Sequence, residues 1–250
     1  FTIKNLSTNL DKSINSSLVL LGRVMAIGFR YLGILFLVYK LNKNEFAEFS
    51  LLSSGALYML YFIGFDYYNK LHRKYFDEYD AFKKSLFNYL VLLLISLPVV
   101  VIINLNLLVS IFPEVTFSLI SILTIIVYSE LAFLEIYRFE ILKSNLHIAN
   151  LWLFLRYFWF INLAIISLIF EINTINLLQV WAISNSFIIG LIFLTRYRRE
   201  FNLTLFKNKL SIFKGIYLDL RDVILLFVAT LFLRGIYFLD KWIPEWFSAN

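Results

Sequence analysis

Long apolar runs, separated by short polar segments, recur along the 250-residue chain. Each run holds about 20 predominantly apolar residues, the length that an α-helix needs to cross a hydrocarbon core about 30 Å thick. The runs predict seven membrane spans, at approximately 17–39, 46–66, 85–104, 115–137, 150–170, 176–195 and 222–243. Because the apolar residues are continuous, and do not alternate with polar ones over segments of about 10 residues, the pattern predicts helices rather than barrel strands.

Composition supports the same conclusion. Hydrophobic residues make up 60% of the chain and charged residues 16%, whereas soluble domains are about 45–50% apolar. The sequence therefore predicts an all-α, polytopic transmembrane helix bundle. The chain contains no cysteine, which excludes disulfides and thiolate chemistry from it. The first apolar run is too long for the hydrophobic part of a signal peptide, so we expect a true span.

Basic residues concentrate on one side of the predicted bundle. Most of the 23 lysines and arginines precede the first span or follow spans two, four and six. The positive-inside rule then places the N-terminus in the cytoplasm, and the basic run RYRRE (196–200) indicates topology and membrane lipids rather than nucleic acid. We expect three parts: a six-helix lobe at 1–195, a basic cytoplasmic linker at 196–221, able to form an amphipathic helix on the membrane surface, and one further helix at 222–250.

Two arginines lie inside the first apolar run. Arg23 and Arg30 are seven residues apart, so at about 100° per residue they share one helix face. An arginine at mid-membrane costs about 2.5–3.5 kcal/mol on insertion scales and usually faces a partner or a water-filled cavity. Arg23 is close enough to the inner surface to extend to the headgroups instead, and Arg30 has a structural ion pair as its alternative.

Other polar residues interrupt the later spans. Arg234 lies near the middle of the seventh, and Asp240 near its outer end, where an interfacial pair with Lys241 is the alternative. Arg156 has a tryptophan on each side at helical spacing, and one of them, Trp159, could stack on a sugar together with it or belong to an interfacial aromatic belt. Glu48 begins the second span.

Residues arranged for catalysis are not found in this sequence. Glu130 and Glu135 in the fourth span are about 140° apart around the helix, so they form no paired-carboxylate site, and a local ion pair of Glu135 with Arg138 is expected instead. The two histidines fit no metal-ligand pattern, and no glycine-rich phosphate loop is present. We therefore expect a transporter, not an enzyme, without cofactor or metal.

Two stretches carry a resemblance to a known family. YKLNKNEFAEFSLLSSGALYMLYFIGFDYYNKLHRKY (39–75) and LRGIYFLDKWI (233–243) are similar to the second and seventh helices, with their flanks, of bacterial O-antigen-type oligosaccharide flippases. These belong to the multidrug/oligosaccharidyl-lipid/polysaccharide exporter superfamily. One departure is Ala47, where the family pattern usually has glycine. Because members have about twelve helices in two lobes, the resemblance implies an N-terminal portion: the first lobe and one helix of the second.

The resemblance also implies a function. Members carry polyprenyl-pyrophosphate-linked oligosaccharides across the inner membrane through a cationic cavity between the lobes, for surface polysaccharide such as the O-antigen of lipopolysaccharide. Arg23, Arg30 and Arg234 would then bind substrate, with Asp240 or Glu48 as a partner or ion-coupling group, and other polysaccharide-assembly membrane proteins as partners. The alternatives are a membrane-embedded glycan polymerase or ligase and a small-molecule exporter of the same superfamily.

Overall fold

The computed structural model describes residues 2–65, 67, 71, 79–111, 117–197 and 209–248. Side chains are described at 17, 20–63, 65, 67, 71, 87–106, 117–196 and 215–236, except 219. The helices are α1 (Thr2–Lys40), α2 (Lys43–Gly64), α3 (Tyr79–Ile111), α4 (Phe117–Leu142), α5 (Leu146–Leu155), α6 (Trp159–Ile166), α7 (Thr174–Ile192), a short π-helix (Phe193–Tyr197) and α8 (Lys209–Ser248). The described backbone is almost entirely helical, which confirms the predicted all-α bundle.

Six stretches of the described residues are long and apolar enough to cross a membrane. They are Leu20–Lys40, Lys43–Ile63, Phe87–Asn106, Phe117–Leu142, Leu146–Ile166 and Thr174–Arg196. They coincide with the first six predicted spans, so the chain is a multi-pass membrane protein. The seventh predicted span lies within α8, where the side chains beyond 236 are outside the described set.

The predicted linker at 196–221 is only partly described. Residues 198–208 lie outside the described backbone. From Lys209 onward the linker is the first part of α8, which continues without a break through the predicted seventh span. α8 runs beside α2 and α3.

The turn between α1 and α2 is fixed by a capping box. The Asn42 side chain accepts a hydrogen bond from the Glu45 backbone N–H at 2.9 Å, and the Glu45 carboxylate accepts one from the Asn42 N–H at 3.1 Å. These reciprocal bonds satisfy two of the N–H groups that a helix start leaves unpaired. A loop of two residues therefore suffices to reverse the chain between the first two spans.

The fifth predicted span consists of two short helices, α5 and α6, joined by a turn at 156–158. The N–H groups of Tyr157 and Phe158 bond to carbonyls three residues back, at 3.0 Å each, instead of four. This 3₁₀-like tightening rotates the chain between α5 and α6. The break places Arg156 and Tyr157 at the middle of a membrane span.

The main core lies where α2, α4, α6 and α7 meet. Ile63, Ile126, Leu163 and Leu177 are completely buried there, and each comes from a different one of these helices. By contrast, α1 exposes large apolar side chains along one side, as at Leu32, which is 65% exposed. In a membrane-spanning helix such a face contacts lipid.

Small residues let α1 approach the rest of the bundle. Ala26 is completely buried and Gly33 is also buried. A Cβ on Gly33 would lie only 2.5 Å from the ring of Phe160 on α6, and one on Gly22 would lie 3.1 Å from the Asn150 side chain on α5. The small side of α1 thus packs against protein.

Candidate substrate-binding site

Four candidate spans each place a polar side chain near mid-span. Arg30 lies at the centre of Leu20–Lys40, Glu130 of Phe117–Leu142, Arg156 of Leu146–Ile166 and Asn185 of Thr174–Arg196. Ionisable groups at this depth are costly and typically mark binding sites or pathways. The middle of the bundle is therefore the candidate functional site.

Glu130 on α4 is the centre of a buried polar network. One carboxylate oxygen accepts hydrogen bonds from the Trp181 indole N–H at 2.8 Å and the Asn185 amide at 2.9 Å. The other oxygen accepts from Nε of Arg156. The Glu130 side chain is 3% exposed. With these donors and a counter-charge the buried carboxylate is well satisfied, so it is tolerated away from water. We call these four residues the Glu130 network.

Three arginines from three parts of the chain lie against two tyrosines. The guanidinium carbons of Arg30 and Arg156 are 6.0 and 5.7 Å from the ring centroid of Tyr157. That of Arg234, on α8, is 3.9 Å from the centroid of Tyr61 on α2. Tyr61 also lies in the neighbourhood of Arg156. We call these five residues the arginine–tyrosine cluster.

The arginine–tyrosine cluster carries an excess of positive charge. Arg156 is paired with Glu130. Among the ion pairs of the described residues, none involves Arg30 or Arg234. Their positive charges are stabilised by aromatic ring faces instead, through cation–π contacts. Such a group of guanidiniums, held apart by tyrosines, is suited to an anion with several oxygens, such as a phosphate.

Of the three arginines predicted to bind substrate, the structure places two in the arginine–tyrosine cluster and one outside it. Arg30 and Arg234 both belong to the arginine–tyrosine cluster. Arg23 is exposed on α1, about two turns from Arg30. It lies toward the end of the span, where its side chain can extend to the lipid headgroups. Asp240 lies on α8, but its side chain is outside the described set.

Glu48 ties two helices together near their starts. Its carboxylate accepts a hydrogen bond from the Thr174 hydroxyl at 2.9 Å, which joins the beginning of α2 to that of α7. Glu48 is 13 residues before Tyr61, or about 20 Å along the helix. It is therefore remote from the arginine–tyrosine cluster.

Trp159 is part of the core. It is 3% exposed, and its ring stacks on Trp181 at 4.9 Å and on Phe160 at 3.8 Å between centroids. A sugar could stack on Trp159 only if these rings separated. Tyr157 is the ring that lies beside the Arg156 guanidinium.

Sequence reasoning missed the partner of Arg156. Glu130 was considered only with Glu135, which does form the expected pair with Arg138, at 2.7 Å. The available signal was position: an acid and an arginine each at the middle of its own span. Opposite charges at equal depth in a bundle tend to pair, because each is costly in lipid alone.

No protein-family model, curated protein or solved structure matches this chain. Any function assigned to it therefore rests on its own residues. Among the described part, no three His, Asp or Glu side chains lie close enough to hold a metal ion. What the site does offer is an excess of guanidinium groups at mid-membrane.

Proposed function

We propose that this chain forms part of a flippase that moves a polyprenyl-pyrophosphate-linked oligosaccharide from the inner to the outer leaflet. The observation that carries the proposal is the arginine–tyrosine cluster, in which three guanidiniums lie against two tyrosine rings, those of Arg30 and Arg156 at mid-span, and the carboxylate of Glu130 pairs with one of them.

The chemistry of the substrate accounts for this arrangement. A pyrophosphate headgroup cannot cross hydrocarbon unaided, because its charges are strongly hydrated. Guanidinium groups replace water by donating two parallel hydrogen bonds to phosphate oxygens, a geometry that an ammonium group cannot reproduce. Arginines on α1, at the α5–α6 turn and on α8 would surround the headgroup from different sides.

The placement of Arg30 fits a cavity between two lobes. Arg30 is exposed on the six-helix bundle although it lies at mid-span. Exposure to lipid there would be costly, whereas exposure to a polar cavity would not. In our proposal the cavity opens to each side in turn as the lobes rock. The basic inner loops set the N-terminus in the cytoplasm of a bacterial inner membrane.

The test is complementation of a strain that lacks the parent gene. Arg30→Ala and Arg234→Ala should each trap complete lipid-linked units on the cytoplasmic leaflet, while the protein still accumulates in the membrane. Arg221→Ala is the matched control, because Arg221 is on the same helix as Arg234 but its side chain is 67% exposed and 3.9 Å from Asp222. The control should export normally.

Two results would contradict the proposal. Normal surface glycan in both cluster variants would show that the arginines do not line the path. Unpolymerised units already on the outer leaflet in the deletion strain would place the protein after export, as a polymerase or ligase.

A further inference from the structure

We infer that Arg156 binds the substrate phosphate directly, and that the rest of the Glu130 network is its positioning device. This inference rests on the proposed function, because it concerns the same headgroup. It differs from the sugar contact that sequence spacing suggested for Arg156.

The contact between Arg156 and Glu130 leaves most of the guanidinium unused. Arg156 reaches the carboxylate through Nε alone. In the described part of the chain, neither of its two terminal nitrogens has a hydrogen-bond partner, and neither is among the buried polar atoms that lack one. Both nitrogens therefore keep some exposure, although the side chain as a whole is only 16% exposed, and they are the fork that can bind two phosphate oxygens at once.

Glu130 is held more firmly than an ordinary salt-bridge partner. Trp181 and Asn185, both on α7, donate to its other oxygen. A free arginine side chain loses rotamer entropy when it is fixed in one geometry. Fixing Nε of Arg156 before the substrate arrives removes part of that loss from the binding step.

A second arginine faces the same ring. The guanidinium carbons of Arg30, on α1, and Arg156, in the α5–α6 turn beside Tyr157, each lie within 6.0 Å of the Tyr157 ring centroid. A purely structural ion pair with Glu130 would account for the contact of the Arg156 Nε. It would not account for terminal nitrogens that have no hydrogen-bond partner and lie near the guanidinium of Arg30. We assign Arg30 and Arg156 to one phosphate-binding subsite at Tyr157.

The test compares the binding of two lipids to the purified product of the parent gene in lipid nanodiscs. Binding of polyprenyl pyrophosphate is measured against the uncharged polyprenol of the same length, and the ratio of the two affinities isolates headgroup recognition from binding of the tail. Arg156→Lys keeps a charge opposite Glu130 but cannot bond to both the carboxylate and a phosphate fork. We expect it to lower the ratio about tenfold or more.

Arg138→Lys is the matched control. Arg138 is also paired with a glutamate, at 2.7 Å from Glu135, but it lies outside the cluster. Its lysine variant should keep the wild-type ratio. The double variant Glu130→Gln with Arg156→Gln removes both buried charges together, so it tests the same point if Arg156→Lys fails to fold. It too should lose the preference for pyrophosphate.

The positioning of Arg156 by the Glu130 network is tested separately with Trp181→Phe. This change removes one donor to Glu130 without touching Arg156, and we expect it to lower the ratio less than Arg156→Lys does. A wild-type ratio in Trp181→Phe would overturn the positioning role. A wild-type ratio in every Arg156 variant would overturn phosphate binding by Arg156 while leaving the proposed function intact. A wild-type protein that binds both lipids equally would instead refute the proposed function.

Discussion

Gly33 on α1 is the position where one methyl group tests the packing that brings Arg30 to Tyr157. A Cβ there would lie 2.5 Å from two atoms of the Phe160 ring and 2.6 Å from a third. Favourable carbon contacts need about 3.5–4.0 Å. Gly33→Ala therefore requires α1 and the ring to separate by about 1 Å.

The Phe160 ring cannot move far from α1, because it is itself closely packed. Phe160 is 6% exposed, and its centroid lies 3.8 Å from that of Trp159. Overpacking of this kind costs about 1–3 kcal/mol. Alanine also improves helix propensity over glycine by about 1 kcal/mol, which would hide part of the cost. Gly28→Ala removes this ambiguity, because a Cβ on Gly28 meets nothing within 4 Å.

The comparison of these two variants cancels the propensity term. We expect Gly33→Ala to be less stable than Gly28→Ala by about 1–3 kcal/mol, measured by thermal unfolding of the purified protein in detergent. Phe160→Leu should relieve part of the penalty, with a coupling energy of about 0.5–3 kcal/mol in the double-mutant cycle. Export should fall in Gly33→Ala but not in Gly28→Ala. Equal stability of the two glycine variants would refute the packing of α1 against α6.

Four further substitutions test the structure elsewhere. Glu140→Ala should lower stability by about 1–3 kcal/mol in thermal unfolding, because it removes a completely buried carboxylate that accepts hydrogen bonds from the partly exposed Arg196 at 2.8 and 3.1 Å. Glu135→Ala removes a less buried carboxylate, 18% exposed, and should cost less. Glu48→Gln should leave export normal, since an amide oxygen can still accept from Thr174, and loss of export with normal stability would instead favour ion coupling. Asn42→Ala should lower stability by about 1 kcal/mol through loss of the cap.

The spans were predictable because membrane physics acts on each one separately. Each helix must satisfy its own backbone and cover itself with apolar residues, so both requirements are visible within about 20 residues of sequence.

The break in the fifth span was not predictable in this way. Its residues are apolar on both sides of 156–158, and no proline or glycine marks the turn. The turn accompanies the ion pair of Arg156 with Glu130, which are 26 residues apart in sequence. Position within the spans indicates that the two side chains lie at similar depth, but only the tertiary structure shows that they pair and that the helix breaks beside them.

The contacts in the candidate site depend on the same long-range information. Sequence pointed to Arg30 and Arg234 because charge in a span is conspicuous. Tyr61 and Tyr157 were not singled out as partners of arginine, because tyrosine is common in this chain, with 15 copies. Which rings meet which guanidiniums depends on how α1, α2 and α8 pack.

Stability alone does not account for the polar groups at mid-membrane. Replacing a buried ion pair by well-packed apolar residues is often neutral or stabilising by about 1–4 kcal/mol, so Glu130 and Arg156 are not needed to hold α4 near the α5–α6 turn. Stability accounts even less for Arg30, because Arg30 pairs with no carboxylate among the described residues. Its position leaves a charge at mid-span that the fold does not neutralise. Under the proposed function, the anionic headgroup of the substrate supplies the missing counter-charge, and only while it is bound.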